Sequence, residues 1–550
     1  MPGRLAPVPR NLAGNGWAVP VIDIFAGPGG LGEGFSAFRV ADAQRFDIRL
    51  SIEKDKVACA TLLLRKFFRL FDEVPSELRA YYRGEVTLSE VFDVYPREAE
   101  AARAAVWNEE LGKVPQAAVN EAVQERLHGA KDWVLLGGPP CQAYSVAGRS
   151  RMRSSPDFDR DERHFLYREY LRIVADHEPA VFVLENVKGL LTSKNRDVRM
   201  LPRILDDLSF PAEALKIARA DARKYRPYAL VQRQAPLFWA EEQPPDGEEY
   251  IVKAEEFGIP QMRHRIFIVG VRADIPLRPA SLEHLPEVTT GDVLSDLPAI
   301  RAGLTREADS LESWRSAVSE IQNYRFMSSS EPRLTKVLDE IRRIVREMGR
   351  SDLDMGVAYV PHRARPRALG HWYRKDAIGL VQHESRAHMR SDLHRYLFAA
   401  AFGRIYCRSP ELVDFPKELH PAHKNMERAL EGGELFNDRF RVQLQSRPST
   451  TITSHISKDG HYYIHYDPIQ CRSLTVREAA RLQTFPDNYY FEGNRTEQYH
   501  QVGNAVPPLL ALEIARVVYD LLVAADRVNS TALPPARKPA RLTAHRGRAA

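Results

Sequence analysis

The sequence predicts an α/β fold, and three observations predict it. Short apolar runs alternate with longer amphipathic stretches from residue 21 to about residue 272, as in a sheet whose strands are joined by helices. A glycine-rich loop at residues 26–34 follows the first of these runs, which is typical of a parallel sheet that binds a nucleotide. A second α/β-like piece, from residue 472 to about residue 528, follows a long segment of weaker periodicity.

The clearest predicted strands are short apolar runs at residues 21–25, 48–52, 134–136, 181–184 and 266–269. Between them, the Ala- and Glu-rich residues 96–130 predict a helical insertion. The polar, aromatic and proline-containing residues 222–248 predict a loop or a partner surface.

Length and composition place the chain among ordinary globular proteins. Its 550 residues carry a net charge of +5, and this length predicts about two to four domains. The four cysteines are too few and too scattered for a disulfide framework, and no pair has zinc-knuckle spacing, which favours a reducing cytoplasm. Residues 1–20 lack an apolar signal core, and no run approaches the ~20 apolar residues of a membrane span.

The glycine loop predicts a nucleotide-type cofactor. Gly27, Gly29 and Gly32 match the G-x-G-x-x-G pattern at the end of the first strand. Glu53, at the end of the second strand, stands about twenty positions on, where a carboxylate can accept hydrogen bonds from a ribose. The loop itself does not decide between a nicotinamide dinucleotide and S-adenosylmethionine (SAM). A glycine-rich turn without a ligand is the alternative.

The third run of apolar residues leads into Gly137-Gly138-Pro139-Pro140-Cys141-Gln142. The glycines and prolines end the strand and hold a thiol on a stiff loop at its carboxyl end, where open α/β sheets carry their reacting groups. This setting favours a nucleophile for Cys141. The alternative is the common one for a single cysteine, a small buried hydrophobe.

Six blocks, in a fixed order, resemble the cytosine-C5 DNA methyltransferase family: residues 23–30, 139–142, 185–187, 261–265, 474–486 and 501–508. The resemblance implies a SAM-dependent methyltransferase with a Rossmann-like sheet, helices on both of its faces, and a smaller mixed target-recognition domain. The implied organisation is a flexible leader (1–18), the catalytic SAM-binding domain (19–275), the target-recognition domain (276–465), the completion of the catalytic domain (466–528) and a basic disordered tail (529–550).

The resemblance also implies a catalytic set. Cys141 would add to C6 of a cytosine that has been flipped out of the duplex, which makes C5 nucleophilic toward the methyl group of SAM. Glu185 would donate a proton or a hydrogen bond at N3. Arg265 would contact the cytosine, and Arg263 would order the catalytic loop or a phosphate, although two arginines at strand spacing are more often simply solvated.

The residues that would bind SAM are Phe25, Gly27, Gly29, Gly30, Glu53, Leu166, Asn504 and Val506. Phe25 would stack on adenine and Glu53 would hold the ribose. The family's acidic residue for the adenine amino group normally follows a third strand, and Glu85 is the one plausible counterpart that residues 66–130 offer. No metal is expected.

Double-stranded DNA is the expected partner. Residues 361–404 contain nine Arg or Lys against three acidic residues, interleaved with histidines and aromatics, which suits contacts with phosphates and base edges. A solvated basic face is the alternative. The spacing of His383 and His388, far from the cysteines, makes a zinc site improbable.

Rival functions differ in the residues they need. A nicotinamide dehydrogenase would not need the Pro-Pro-Cys-Gln or Glu-Asn-Val blocks, and the P-C-x-x-C signature of a zinc deaminase is absent at Cys141. A tRNA cytosine-5 methyltransferase and a catalytically silent DNA-binding regulator stay open. A restriction-modification enzyme, a phage-defence component or a solitary bacterial methyltransferase would all share these blocks. Each would be cytoplasmic and associated with the nucleoid through DNA, and the first two would act beside restriction or defence proteins.

Overall fold

A computed structural model describes residues 18–139, 162–192, 194–195, 198–231, 247–361, 365–374, 378–421 and 439–531. Within these ranges, no helix is long and apolar enough to cross a membrane.

An eight-stranded sheet forms the centre of the molecule. Its strands are β1 Val19–Ile24, β2 Phe46–Glu53, β3 Val106–Asn108, β4 Val134–Gly137, β5 Val181–Val187, β6 Tyr225–Tyr228, β7 Ile251–Lys253 and β8 His264–Arg272. The order is β6-β8-β5-β4-β1-β2-β3, and β7 also pairs with β8. Strands β1 to β5 pair in parallel, whereas β8 pairs antiparallel with β5, β6 and β7. The predicted α/β class is confirmed.

Helices cover both faces of this sheet. They are Gly30–Ala37, Lys56–Phe68, Ser76–Tyr82, Leu88–Val94, Pro96–Ala104, Gln116–Leu127, Glu162–His177, Gly189–Thr192, Met200–Ser209 and Pro211–Ala214. The two-residue period of β1 decides which core each side chain enters, since Val19 and Val21 pack in one apolar cluster and Ile22 and Ile24 in the other. The predicted helical insertion at residues 96–130 is wrong in one respect, because β3 interrupts it.

A second group of helices has an apolar core of its own. It contains Leu311–Ser319, Pro332–Met348 and Arg390–Tyr406, whose buried faces meet around Trp314, Ile341 and Phe398. Short strands pair within or beside it: Gly303–Leu304 with Ala387–His388, and Gly356–Val360 with Leu380–Glu384. Smaller helical elements are Thr290–Leu294, Gly370–Tyr373, and the 3₁₀ turns Glu320–Asn323, Arg325–Ser328, Leu412–Asp414, Lys417–Leu419 and Ser454–Ser457. The division at residues 276 and 465 stays a prediction.

The last three helices, Val476–Leu482, Arg495–Asn504 and Pro508–Thr531, return to the sheet. Pro508–Thr531 packs on Gly30–Ala37, since a Cβ on Gly34 would lie 2.3 Å from the carbonyl oxygen of Pro508. Val476–Leu482 carries charged side chains in the interior, and each has partners: Glu478 pairs with Arg472 at 2.6 Å, Arg481 pairs with both Asp296 and Asp487, and Arg477 donates to carbonyl oxygens. These partners satisfy charges that burial would otherwise disfavour.

Candidate active site

The carboxyl ends of the parallel strands bring the predicted site residues to one edge of the sheet. Phe25 follows β1, Glu53 ends β2, Gly138 follows β4 and Glu185 lies near the end of β5. Because the strands are parallel, these ends are adjacent, and the loops that leave them form a common rim.

The glycine loop and Glu53 are in direct contact. The amide of Gly27 donates to Oε2 of Glu53 at 2.9 Å, and the amide of Asp55 donates to Oε1 at 2.9 Å. The loop has left-handed backbone at Phe25 (φ 54°), Gly27 (φ 55°) and Gly29 (φ 89°), a region in which glycine carries little penalty. A Cβ on Gly27 would meet nothing within 4 Å, so open space borders the loop beside the carboxylate.

Gly30 and Val506 also come together. A Cβ on Gly30 would lie 2.1 Å from the carbonyl oxygen of Val506. The missing side chain therefore makes room for protein backbone, and a contact between Gly30 and a cofactor stays a prediction. Asn504, two positions before Val506 in the chain, is exposed. Its Nδ2 lies 3.2 Å from Nδ1 of His500.

Leu166 lies beside residues that follow β3, near the rim at the carboxyl ends of the strands. The half-buried Leu166 is on the helix Glu162–His177, and its Cδ2 is 3.9 Å from where a Cβ on Gly112 would be. Asn108, the last residue of β3, donates to the carbonyl oxygen of Glu53 at 3.0 Å. The amide of Glu109 donates to the same oxygen at 3.1 Å.

Glu85, the plausible counterpart that residues 66–130 offered for the adenine-contacting acid, does not follow a strand of the sheet. Glu85 lies outside the sheet, on an exposed turn after Ser76–Tyr82, where it pairs with Arg83 at 2.6 Å. The strand that pairs with β2 on its outer side is β3, so Asn108, its last residue, and Glu109, which follows it, take the place that Glu85 was considered for. Sequence reasoning missed them because a three-residue strand inside an Ala- and Glu-rich segment has no readable period.

Cys141 lies outside the described residues, but the residues that lead to it are described. Asn186 donates from Nδ2 to the carbonyl oxygen of Pro139 at 3.3 Å. A Cβ on Gly138 would be 3.0 Å from Oε2 of Glu185. Glu185 and the start of the Pro-Pro-Cys-Gln loop are therefore neighbours at the rim, and Gly138 has no side chain because the carboxylate occupies that space.

Arg265 and Arg263 have different partners. Nε of Arg265 lies 3.2 Å from Oε1 of Glu185, and both side chains are largely buried. Arg263 is buried and donates from Nη1 to the carbonyl oxygens of Ile452, at 2.9 Å, and Gly503, at 3.4 Å. Burial, and then the neighbouring Arg265, lower the pKa of Arg263 to about 9. Arg263 thus joins the block at residues 261–265 to the one at 501–508, while its catalytic role stays a prediction.

Asp23 is a buried carboxyl beneath the glycine loop that sequence reasoning did not single out. It is 1% exposed and has no side-chain partner among the described residues. A Cβ on Gly32 would lie 3.0 Å from its Oδ2. Burial, and then the charge of Glu53, raise the pKa of Asp23 to about 7.

Most of the histidines and aromatics of residues 361–404 lie in the interior, so the expectation that some Arg or His of this stretch reach base edges stays a prediction for the exposed residues alone. The side chains in the interior are Trp372, Tyr373, His383, His388, His394, Tyr396, Phe398 and Phe402. His383, for example, contacts Oγ1 of Thr475 at 3.1 Å and the carbonyl oxygen of Pro298 at 2.9 Å.

The basic side chains of that stretch differ in their surroundings, and Arg374 is half-buried. Arg386, Arg390, Arg395 and Arg404 bond to carbonyl oxygens or carboxylates of the protein itself. Arg365 and Arg367 are exposed, whereas Arg363 and Lys375 lie outside the described residues. The described residues contain no group of three His, Cys, Asp or Glu that could hold a metal ion.

The site fits an adenosine-type cofactor. It combines a carboxylate at the end of β2, a glycine loop with open space beside it, and a buried Asp23 that lacks a side-chain partner. Carboxylates in this arrangement suit a ligand that carries ribose hydroxyls and positive charge.

Comparison with known proteins finds a family and several proteins to which the chain is similar. The family model for C-5 cytosine-specific DNA methylase matches residues 93–211 and 248–520. The type II methyltransferase M.Bpa9945I of Bacillus paralicheniformis is 31% identical over 529 residues, covering 91% of this chain and 99% of the relative. The DNA (cytosine-5-)-methyltransferase M.ApeKI of Aeropyrum pernix is 28% identical, covering 72% of this chain and 83% of the relative. The solved structure of the Entamoeba histolytica methyltransferase EhMeth covers 92% of this chain and 99% of its own, with a TM-score of 0.42 and 11% identity.

Proposed function

Because the chain belongs to the C-5 cytosine-specific DNA methylase family, we propose that it transfers a methyl group from SAM to C5 of a cytosine flipped out of a specific duplex DNA sequence. The family makes it a DNA (cytosine-5-)-methyltransferase. The observation that carries the proposal is the position of Glu185: its Oε1 is held by Arg265, and its Oε2 lies beside Gly138 at the start of the Cys141 loop.

The thiolate of Cys141 forms a bond to C6 of the cytosine, and the π electrons of the C5–C6 double bond move toward N3. Glu185 stabilises the charge that develops there by donating a proton or a hydrogen bond. With SAM bound, C5 would then bond to the methyl group as the bond from that group to the sulfonium sulfur breaks. Water would take the proton from C5, the thiolate of Cys141 would leave C6, and a proton given to N3 would return to Glu185, which restores the C5–C6 double bond. A base inside the duplex cannot present C6 to the thiol, so base flipping must come first.

Arg265 orients Glu185 for this task. The contact at 3.2 Å fixes Oε1 of the carboxyl group and leaves Oε2 turned toward the loop that carries Cys141, so Oε2 would carry the proton that is given to N3. The side chains are 18% and 15% exposed, so little water competes for the pair and its geometry is well defined. A flipped base would cover the part of the two side chains that is still exposed.

SAM, when bound, supplies the methyl group as an electrophile. The residues that would hold it are Phe25, Gly27, Gly29, Gly30, Glu53, Leu166, Asn504 and Val506, and Asn108 and Glu109 join them as candidates from the end of β3. Glu53 already accepts two amide hydrogen bonds, which orient its side chain at the rim, where its oxygens would also accept hydrogen bonds from the ribose hydroxyls.

Duplex DNA would lie across the rim and contact the segment from residue 276 to residue 465. Arg365 and Arg367 are the described arginines of the basic stretch that are exposed, so they are the candidates for phosphate contacts. The name of the relative M.Bpa9945I, a type II methyltransferase, favours a role as the modification partner of a restriction nuclease over that of a solitary or defence enzyme.

Bisulfite sequencing of DNA from cells that express the chain tests the proposal and yields the recognition sequence. We expect one short motif to carry 5-methylcytosine in these cells and none in cells that express Cys141→Ser. Methylation that is confined to tRNA would support the tRNA methyltransferase instead. Tight DNA binding without any methylation would support the silent regulator.

A further inference from the structure

The glycine loop has a support that the family's cofactor residues do not include. Pro28, at the centre of the loop, is buried and has no amide hydrogen, so its carbonyl oxygen is its one backbone polar group. The hydroxyl of Tyr489 donates to this oxygen. Tyr489 is 1% exposed. It lies just beyond the 474–486 block, and its contact joins this part of the chain to Pro28, 461 residues earlier.

The ring of Tyr489 also limits where the next residue can lie. A Cβ on Gly29 would be 3.1 Å from the Tyr489 hydroxyl and 2.7 Å from Cδ2 of Leu62. On the other side, the guanidinium of Arg65 lies 4.9 Å from the centre of the Tyr489 ring. Arg65 in turn pairs with Glu33, on the helix that the loop opens, at 2.6 Å. The loop and the first turn of its helix are thus held by one buried group of side chains.

Tyr489 is itself firmly anchored. Arg477 donates to its carbonyl oxygen at 2.5 Å and to that of Pro486 at 2.8 Å. Two residues on, the backbone of Phe491 exchanges two hydrogen bonds with the side-chain amide of Gln382, at 2.7 and 3.1 Å. Burial raises the pKa of the Tyr489 hydroxyl far above its ordinary value, so it stays a hydrogen-bond donor at any physiological pH.

We propose that Tyr489 is a positioning residue for the cofactor: through Pro28 it holds the glycine loop in the conformation in which the amide of Gly27 meets Glu53. Gly27 is next to Pro28, and its amide lies 2.9 Å from the Glu53 carboxylate that would bind the ribose. Loss of the hydroxyl leaves the Pro28 carbonyl buried without a partner and frees the loop to move. The inference rests on the proposed function, since it takes SAM as the ligand of this loop.

The test compares Tyr489→Phe with Tyr225→Phe. Tyr225 is a matched control, because it is 3% exposed and its hydroxyl donates to the carbonyl oxygen of another proline, Pro179, at 2.9 Å. Pro179 precedes β5, at the opposite edge of the sheet from Glu185. Both variants lose one buried hydrogen bond of the same kind, so a general loss of stability affects them alike.

Two measurements separate the possible results. By hydrogen exchange without cofactor, we expect the amides of residues 27–33 to exchange about tenfold faster in Tyr489→Phe and at the wild-type rate in Tyr225→Phe. By calorimetry, we expect the Kd for S-adenosylhomocysteine to rise about fivefold to tenfold in Tyr489→Phe alone, with the KM for SAM rising in parallel and kcat within about twofold. Equal exchange and equal Kd in the two variants would overturn the role of Tyr489. A wild-type protein that binds neither SAM nor its product contradicts the cofactor assignment itself, whatever the exchange rates.

Discussion

Nε of Arg265 lies 3.2 Å from Oε1 of Glu185, and this ion pair faces the start of the loop that carries Cys141. Arg265→Gln removes the group that fixes the carboxylate, so we expect methyl transfer to slow by about 10²–10³-fold with little change in DNA affinity. Single-turnover kinetics measure this step. Arg272→Gln is the control, because Arg272 lies on the same strand and forms its own ion pairs with Asp132 and Asp274. Equal rates of methyl transfer in the two variants would show that Arg265 has no role in the mechanism.

Asn186 connects the acid-bearing strand to the catalytic loop. Its Nδ2 donates to the Pro139 carbonyl oxygen at 3.3 Å, and its Oδ1 accepts from the amide of Val187 at 2.8 Å. We expect Asn186→Ala to slow the formation of the covalent adduct about tenfold, since the residue before Pro140 and Cys141 loses its tether. Asn120→Ala is the control, because it breaks a side-chain hydrogen bond to Asp176 that has no link to this loop. An unchanged rate of adduct formation would show that the tether does not matter.

Asp23 should make the protein less stable as pH rises. Burial raises its pKa from 3.8 to about 7, so between these values the folded state holds a proton that the unfolded chain has lost. The free energy of unfolding therefore falls as pH rises from about 4 to 7, by at most about 4 kcal/mol. We expect Asp23→Asn to have a higher Tm than wild type at pH 8 and a similar Tm at pH 5. Asp47→Asn, at a side chain that is 41% exposed, should show no such crossover.

The buried histidines, unlike Asp23, should make the protein less stable as pH falls. Burial lowers the pKa of His383 from 6.5 to about 4 and also lowers the pKa of His388 and His465. Between about pH 6.5 and 4 the unfolded chain binds more protons than the folded one, so the free energy of unfolding falls as pH drops through this window. We expect thermal melts to show a steep loss of Tm below pH 6. Mutation of His383 to Asn should flatten this dependence, whereas mutation of the exposed His455 should leave it intact; a flat wild-type profile would contradict the account.

Arg365 and Arg367 should contribute to DNA affinity without affecting stability. Both are exposed, whereas Arg390 is paired with Glu307 and Glu320. We expect the double change of Arg365 and Arg367 to Gln to weaken duplex binding at least about tenfold. The slope of log K against log salt concentration should fall by the amount that corresponds to about two phosphate contacts. Arg390→Gln is the control and should leave the salt slope unchanged. Titrations at several salt concentrations measure both quantities, and equal slopes would place the DNA elsewhere.

Sequence reasoning succeeded where a local pattern determines a position. The run that ends in Phe25, the glycine loop and Glu53 lie on adjacent strand ends, as the parallel α/β pattern requires. The adjacency of Glu185 and the Pro139 end of the catalytic loop follows from the same rule, because β4 and β5 pair in parallel.

Sequence reasoning failed where only tertiary contacts determine whether a side chain is buried or exposed and what it contacts. Arginines interleaved with histidines and aromatics have the same composition in a DNA-binding face and in a buried polar network. Here His383 and His388 bond to Thr475 and Ser473 in the interior. Strand β3 was missed because three residues cannot display a period, and the support of Pro28 by Tyr489 joins segments too far apart for any local pattern to reveal.

The most direct test of the central claim is covalent trapping at Cys141. Duplex DNA that carries 5-fluorocytosine at the methylated position is incubated with SAM, and the product is separated on a denaturing gel. We expect a stable protein–DNA adduct for the wild type and none for Cys141→Ser at equal DNA occupancy. A wild-type enzyme that binds this DNA and methylates the ordinary site, yet forms no adduct, would contradict the central claim.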